Sequence, residues 1–171
     1  MTKFESLHNL FVHEVQDLYN AEKQLTNALP KMMQAASNSD LKEAFRNHLD
    51  ETREQLQRAE RVLRLVNAAP GGVTCEAMKG LVEEGEEIIR SKAAPAVKDA
   101  ALIGAAQRVE HYEMAGYGTA RTFARQLGYD EAADLLQETL DEEGDANKKL
   151  TKLAEGGWFS EGINEMAEVA A

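Results

Sequence analysis

Residues 69–95, APGGVTCEAMKGLVEEGEEIIRSKAAP, decide how this chain folds. Pro70 and two glycines open the stretch, Pro95 closes it, and its apolar residues have helical spacing over about 74–89. Its length allows it to carry a helix of its own and to return the chain along a neighbouring helix of about 29 residues, or ~43 Å. We therefore expect a crossover connection between two helical hairpins.

The segments on both sides of this connection also have helical spacing of their apolar residues. They predict long helices over about 2–36, 40–68, 95–127 and 130–155. Short turns within each half make two antiparallel hairpins, so the predicted fold class is all-α, a four-helix bundle whose long crossover between the second and third long helices carries a short fifth helix. A bundle with one such crossover has the ferritin-like arrangement. We expect one bundle domain over 1–156 and a C-terminal tail over 157–171.

Composition excludes several classes of protein and partner. The chain has 171 residues, is 43% hydrophobic, and carries 30 acidic against 19 basic residues, which gives a net charge of −11. This balance predicts a globular chain with no nucleic acid or anionic membrane as its partner. No signal-peptide pattern or apolar run of membrane-spanning length is present, and Cys75 has no second cysteine to pair with. We expect a cytoplasmic protein.

The two halves of the chain repeat each other at an offset of 91 residues. HLDE at 48–51 aligns with TLDE at 139–142, and Glu22 aligns with Glu113. The separation from Glu22 to Glu51 is 29 residues, as is that from Glu113 to Glu142. In an antiparallel hairpin both pairs are nearly level, which indicates a carboxylate cluster in mid-bundle.

Buried carboxylates without partners are costly, and bound metal ions remove that cost. Iron or manganese suits a group of carboxylates with an imidazole, so we expect two divalent metal ions. The candidate ligands are Glu22, His48, Glu51, Glu110, Glu113 and Glu142. The pattern departs from the usual Glu-x-x-His of di-metal bundles, because His48 precedes Glu51 and Thr139 replaces the histidine in the second half.

Nearby polar residues receive other interpretations. Glu14 faces the level of Val62 on the second helix, so we expect it to be solvated or structural rather than a ligand. His111 lies about 100° around the helix from Glu110, which favours a supporting role. Tyr112 and Tyr117 are interpreted as core or interface residues, with a hydroxyl near the metal ions as the alternative.

Five segments together carry a resemblance to a known family. They are DLYNAEKQLTNALPKM (17–32), FRNHLDET (45–52), CEAMKGLVEEGEEII (75–89), DAALIGAAQRVEHYEMAGYGTAR (99–121) and LLQETLDEE (135–143). The chain resembles the YciE/YciF family of bacterial ferritin-like stress proteins over nearly its whole length. The resemblance implies a ferritin-like bundle, a homodimer, a di-metal centre and stress-associated expression, with no established reaction. It supports the six candidate ligands and, more weakly, adds His111, Tyr112, Tyr117 and Glu143.

Two classes of function follow. The first is a metalloprotein that binds two iron or manganese ions and reacts with peroxide or dioxygen, with an unknown redox partner. The alternative is a non-catalytic helical module for dimerisation or partner binding, in which metal is absent or structural. Bulk iron storage in a cage is a weaker third hypothesis. We expect the homodimer to form through helix faces outside the metal site, with help from Trp158 and Phe159.

Overall fold

A computed structural model describes residues 4–157 and 160–169. Helices account for 82% of these residues, and this part of the chain has no strand, only an isolated bridge between Gly157 and Ser160. The helices are α1 Leu7–Ala35, α2 Ser39–Leu65, α3 Glu76–Arg90, α4 Pro95–Gln126, α5 Asp130–Glu155 and α6 Ile163–Glu168. The predicted all-α bundle with a crossover helix is confirmed.

Side-chain caps set the ends of the first hairpin. The Ser6 hydroxyl accepts a hydrogen bond from the Asn9 N–H, so α1 begins at Leu7, later than the predicted residue 2. The Asn38 side chain accepts hydrogen bonds from the N–H groups of Asp40 and Leu41 and starts α2. The helix α1 continues through Pro30.

The crossover helix α3 packs against α1 and α4. The buried thiol of Cys75 caps it, and Asn20 of α1 accepts a hydrogen bond from the Cys75 N–H at 2.9 Å. Pro95 occupies the first turn of α4, where the missing N–H of proline costs no helical hydrogen bond. The crossover thus runs along the bundle and brings α4 back beside α1.

Two apolar clusters fill the bundle at different heights. One contains Leu25, Phe45 and Leu150, and the other contains Phe11, Val62 and Leu136. On each of the four long helices the residues between these clusters include buried polar side chains. The core is therefore interrupted by a polar layer, and that layer holds the candidate site.

The C-terminal tail returns against the bundle, where α6 contacts α4 and α5. Gly156 ends α5 with a φ of 75°, a conformation that favours glycine. Trp158 and Phe159, which we expected at a dimer interface, lie outside the described residues. None of the described helices combines the length and the apolar character needed to cross a lipid bilayer.

Candidate metal centre

The polar layer brings together buried side chains from α1, α2, α4 and α5. Its ionisable members have at most 7% exposure. They are Glu22 from α1, His48 from α2, Glu110 and Glu113 from α4, and Glu143 from α5. Each position continues the buried stripe of its helix, so the same packing that forms the core turns these groups inward.

His48 lies among three carboxylates. Its Nε2 atom is 3.3 Å from Oε1 of Glu110 and 3.9 Å from Oε2 of Glu143, and its Nδ1 atom is 3.4 Å from Oε2 of Glu51. The hydroxyl of Thr52 donates a 2.7 Å hydrogen bond to the His48 carbonyl oxygen one turn earlier. The imidazole therefore connects the buried interior of the layer with its edge.

Four of these residues can place ligand atoms around one point. One nitrogen of His48 and one oxygen each from Glu110, Glu113 and Glu143 all lie within 4.8 Å of one another. Imidazole nitrogen and carboxylate oxygen are ligands that suit iron, manganese and zinc. The group could therefore hold a metal ion.

Most of the nitrogen and oxygen atoms in the layer that could bind a metal ion have no hydrogen-bond partner. Both carboxylate oxygens of Glu113 and of Glu143 are buried without one, as are Oε2 of Glu22, Oε2 of Glu110 and Nε2 of His48. Such atoms cost roughly 1–3 kcal/mol each when nothing satisfies them, and more when they are charged. Bound cations would remove this cost, so the residues present fit a metal centre.

Burial shifts the acid–base equilibria of the carboxyl groups. Burial raises the pKa of Glu22 to about 8. The 2.5 Å hydrogen bond that Tyr117 donates to Glu22 acts in the opposite direction and lowers this pKa, but by less. Burial and the neighbouring carboxylates hold the pKa values of Glu113 and Glu143 well above the ordinary range. Without a bound cation, the layer therefore retains protons at neutral pH.

The pKa values of the histidine and of the carboxylate at the edge of the layer shift in the direction opposite to the one that burial favours. Burial lowers the pKa of His48, but the charges of Glu110 and other carboxylates and the hydrogen bond with Glu51 raise it overall. The hydrogen bond with His48 lowers the pKa of Glu51. The side chain of Glu51 is 38% exposed, so it lies at the rim of the layer rather than inside it.

Glu142, which the repeat predicted as a ligand, is not among the residues whose ligand atoms converge. Its carboxylate accepts hydrogen bonds from Arg58 at 2.8 and 3.1 Å and from Gln55 at 3.0 Å. Its neighbour Glu143 is fully buried and belongs to the converging group. Glu143 had entered only through the family resemblance, although the buried stripe of α5 could have indicated it, since that stripe passes through Leu136, Thr139, Glu143, Ala146 and Leu150.

The remaining candidates occupy three different environments. The Tyr117 hydroxyl donates a hydrogen bond to Glu22 of the layer. The Tyr112 hydroxyl instead donates to Asp17 and lies 2.9 Å from the Cys75 sulfur. His111 is exposed and has Nδ1 2.7 Å from the Gln107 carbonyl oxygen of its own helix. The described contacts of His111 therefore give it no part in the layer.

Glu14 is half-buried on α1, within the segment that carries the buried residues Phe11, Val15 and Leu18 of the second apolar cluster. Burial raises the pKa of Glu14, and the charge of Asp17 raises it further by a smaller amount. It is not among the residues whose ligand atoms converge.

Comparison with known proteins places this arrangement in a family. Protein YciF of Escherichia coli (strain K12) is 50% identical over 151 residues, which cover 88% of this chain and 91% of that protein. The crystal structure of the E. coli stress protein YciF matches with a TM-score of 0.85 and 49% identity, over 88% of this chain and 95% of that one.

A second solved structure is that of YcfI from Rhodopseudomonas palustris, described as a candidate structural protein. It matches with a TM-score of 0.85 and 41% identity, over 88% of this chain and 96% of that one. A family model also matches residues 6–167. The chain therefore belongs to the family described as Domain of unknown function (DUF892), which includes the stress protein YciF.

Proposed function

We propose that this protein binds two divalent metal ions, iron or manganese, in the polar layer and uses them to react with hydrogen peroxide or dioxygen. The observation that carries the proposal is the set of buried carboxylate oxygens without hydrogen-bond partners on Glu22, Glu110, Glu113 and Glu143. Buried acidic groups of this kind are normally paired or bound to metal. The description of the relative YciF as a stress protein supports a role in the stress response.

The charge of the layer supports two ions rather than one. Four buried carboxylates, those of Glu22, Glu110, Glu113 and Glu143, carry −4 when ionised, and two divalent cations balance this charge. His48 supplies the nitrogen ligand, and Glu51 stands at the rim as a further oxygen ligand. Glu142 is outside the proposed set because Arg58 and Gln55 occupy its carboxylate.

The protein's own residues prepare the layer for this chemistry. When bound, iron or manganese ions would supply the electrons that reduce peroxide or dioxygen. Tyr117 orients Glu22 through its hydrogen bond, and Thr52 ties its side chain to the α2 backbone beside His48. The apolar clusters above and below exclude water, which strengthens the attraction between ligands and cations.

Elemental analysis tests the proposal. Protein purified without chelators, or reconstituted anaerobically with Fe²⁺ or Mn²⁺, should contain about two ions per chain, since two divalent ions balance four carboxylates. The reconstituted protein should consume peroxide faster than the same protein after chelator treatment. Fewer than about 0.2 ions per chain after reconstitution would show that the layer does not serve as a metal centre.

A structural module without metal is the second candidate. The observation that favours it is the proximity of His48 to Glu51, Glu110 and Glu143, which allows a protonated imidazole to offset part of the negative charge. The description of YcfI as a candidate structural protein agrees with this role. Chelator treatment separates the two candidates, because a metal-free module keeps its thermal stability when EDTA is added.

We also propose that the chain acts as a cytoplasmic homodimer. The buried free thiol of Cys75 suits a reducing compartment. Leu65 and Val97 are exposed apolar residues on the bundle, at 42% and 41% exposure, and lie outside the polar layer. Sedimentation at micromolar concentration should give twice the mass of the chain, and a monomer would contradict the proposal.

A further inference from the structure

The repeat relates two pairs of charged residues on the seam between α2 and α5. Glu142 lies 91 positions after Glu51, and Lys149 lies 91 positions after Arg58. The repeat thus relates the pair Glu51 and Lys149 to the pair Arg58 and Glu142, and each pair has one acidic and one basic residue, one from each helix. The repeat therefore gives the polar layer two equivalent positions at its surface. The side-chain contacts at these two positions differ.

The position of Arg58 and Glu142 is closed. The guanidinium makes two hydrogen bonds to the Glu142 carboxylate, at 2.8 and 3.1 Å, and a third to the Thr139 hydroxyl at 2.8 Å. Gln55 donates a further hydrogen bond to Glu142. With 11% of its side chain exposed, Arg58 seals this end of the seam with a bidentate ion pair.

The equivalent position of Glu51 and Lys149 is open. These two side chains form no ion pair within 4.0 Å among the described contacts, and Lys149 is exposed. A narrow cleft of about 10 Å³, close to the space that one water molecule needs, is lined by both of them together with Ala44 and the buried His48 and Glu110. The Glu51 carboxylate lies in the wall of this cleft, with Oε2 3.4 Å from the His48 Nδ1 atom.

We propose that divalent cations reach the polar layer through this cleft and that Glu51 is the first carboxylate to bind them. Glu51 is half-exposed and contacts the buried imidazole, so it can bind a cation at the rim and release it to His48 and Glu110. The ammonium of Lys149 at the mouth opposes cations and slows their passage. The inference rests on the proposed metal centre and adds the route of access.

Stopped-flow uptake of Co²⁺ by the full chain after metal removal tests this route. Binding is followed by the visible absorbance of protein-bound Co²⁺, and the final metal content by elemental analysis. Glu51→Gln should slow uptake about tenfold, and Lys149→Gln should speed it about threefold, in line with electrostatic effects on association rates. The exposed Asp50→Asn variant loses the same charge as Glu51→Gln from the neighbouring position and should stay within about twofold of the original rate.

A steric variant provides a test that does not depend on charge. Ala44→Phe narrows the cleft from its wall and leaves every proposed ligand in place, so uptake should slow about tenfold while the final Co²⁺ content is unchanged. Thermal unfolding of each variant checks that it is folded. Unchanged uptake rates in both Glu51→Gln and Ala44→Phe would overturn the route but leave the metal centre standing. Absence of Co²⁺ binding in the original chain would overturn both.

Discussion

His48 and Glu110 face each other across the bundle, with 3.3 Å between the imidazole Nε2 and the carboxylate Oε1. Both side chains are buried, and Oε2 of Glu110 has no hydrogen-bond partner. A proton or a cation between the two groups stabilises a contact of this kind. Without either, the surrounding carboxylates repel one another. Protons and metal ions should therefore compete for this layer.

The first prediction concerns the pH dependence of the metal-free protein. The pKa of Glu22 rises from its ordinary 4.5 to about 8 on folding, and those of Glu113 and Glu143 also rise. A group with a raised folded pKa stabilises the fold fully below its unfolded value, and this contribution is lost as the pH rises through the folded value. The Tm in EDTA should therefore fall between pH 5 and pH 9, by several degrees.

Differential scanning fluorimetry measures this dependence in EDTA and in saturating Mn²⁺. The fall in Tm should shrink in Mn²⁺, because metal binding displaces the protons and becomes tighter as the pH rises. An equal fall in both conditions would contradict a shared site for protons and metal.

The second prediction compares neighbouring residues on α5. Glu143→Gln removes a proposed buried ligand and should lower metal content at least about tenfold, since the loss of even an outer-shell partner of a ligand costs about 10–100-fold in metal affinity. Glu142→Gln should leave the metal content within about twofold, because Arg58 and Gln55 already occupy that carboxylate. Metal per chain after reconstitution is the measurement. A larger loss in Glu142→Gln would restore the ligand that the repeat predicted.

The third prediction separates stability from function. Both oxygens of Glu113 are buried without hydrogen-bond partners, so Glu113→Leu should stabilise the metal-free protein by about 1–4 kcal/mol while lowering its metal content. Asp99 is equally buried, but its carboxylate accepts hydrogen bonds from the Ser37 N–H, the Ser37 hydroxyl and the Asn38 N–H. Asp99→Ala should destabilise the protein by about 2–3 kcal/mol. Urea unfolding in EDTA measures both, and a lower stability of Glu113→Leu would argue that the layer is satisfied without metal.

The fourth prediction tests the link between the bundle and its tail. Gly156 has a φ of 75°, and an added Cβ would lie 2.5 Å from the Gly162 nitrogen and the Ser160 oxygen. Gly156→Ala should cost about 2 kcal/mol or more. Gly104→Ala, inside α4 with open space around its Cβ position, should be neutral or stabilising by up to about 1 kcal/mol. Equal Tm values for the two variants would show that the turn adapts.

Local sequence signals determined the helices and the crossover, because apolar spacing, prolines and glycines act over a few residues. Pro95 begins α4, and the 69–95 stretch carries α3. The same spacing placed His48, Glu110 and Glu113 on inward faces, where the structure finds them buried together. Their roles as metal ligands remain predictions.

The repeat pointed to Glu142 on α5, and the packed structure turns Glu143 inward instead. Adjacent residues of a helix differ by about 100° in direction, so the rotation of α5 about its axis decides whether Glu142 or Glu143 turns inward. That rotation depends on packing α5 against α2 and α4 together, and on the partner that Arg58 provides for Glu142. The repeat specified the heights of the acidic residues along the bundle. Their directions, and the difference between the open Glu51 end and the closed Glu142 end, arose from contacts between helices distant in sequence.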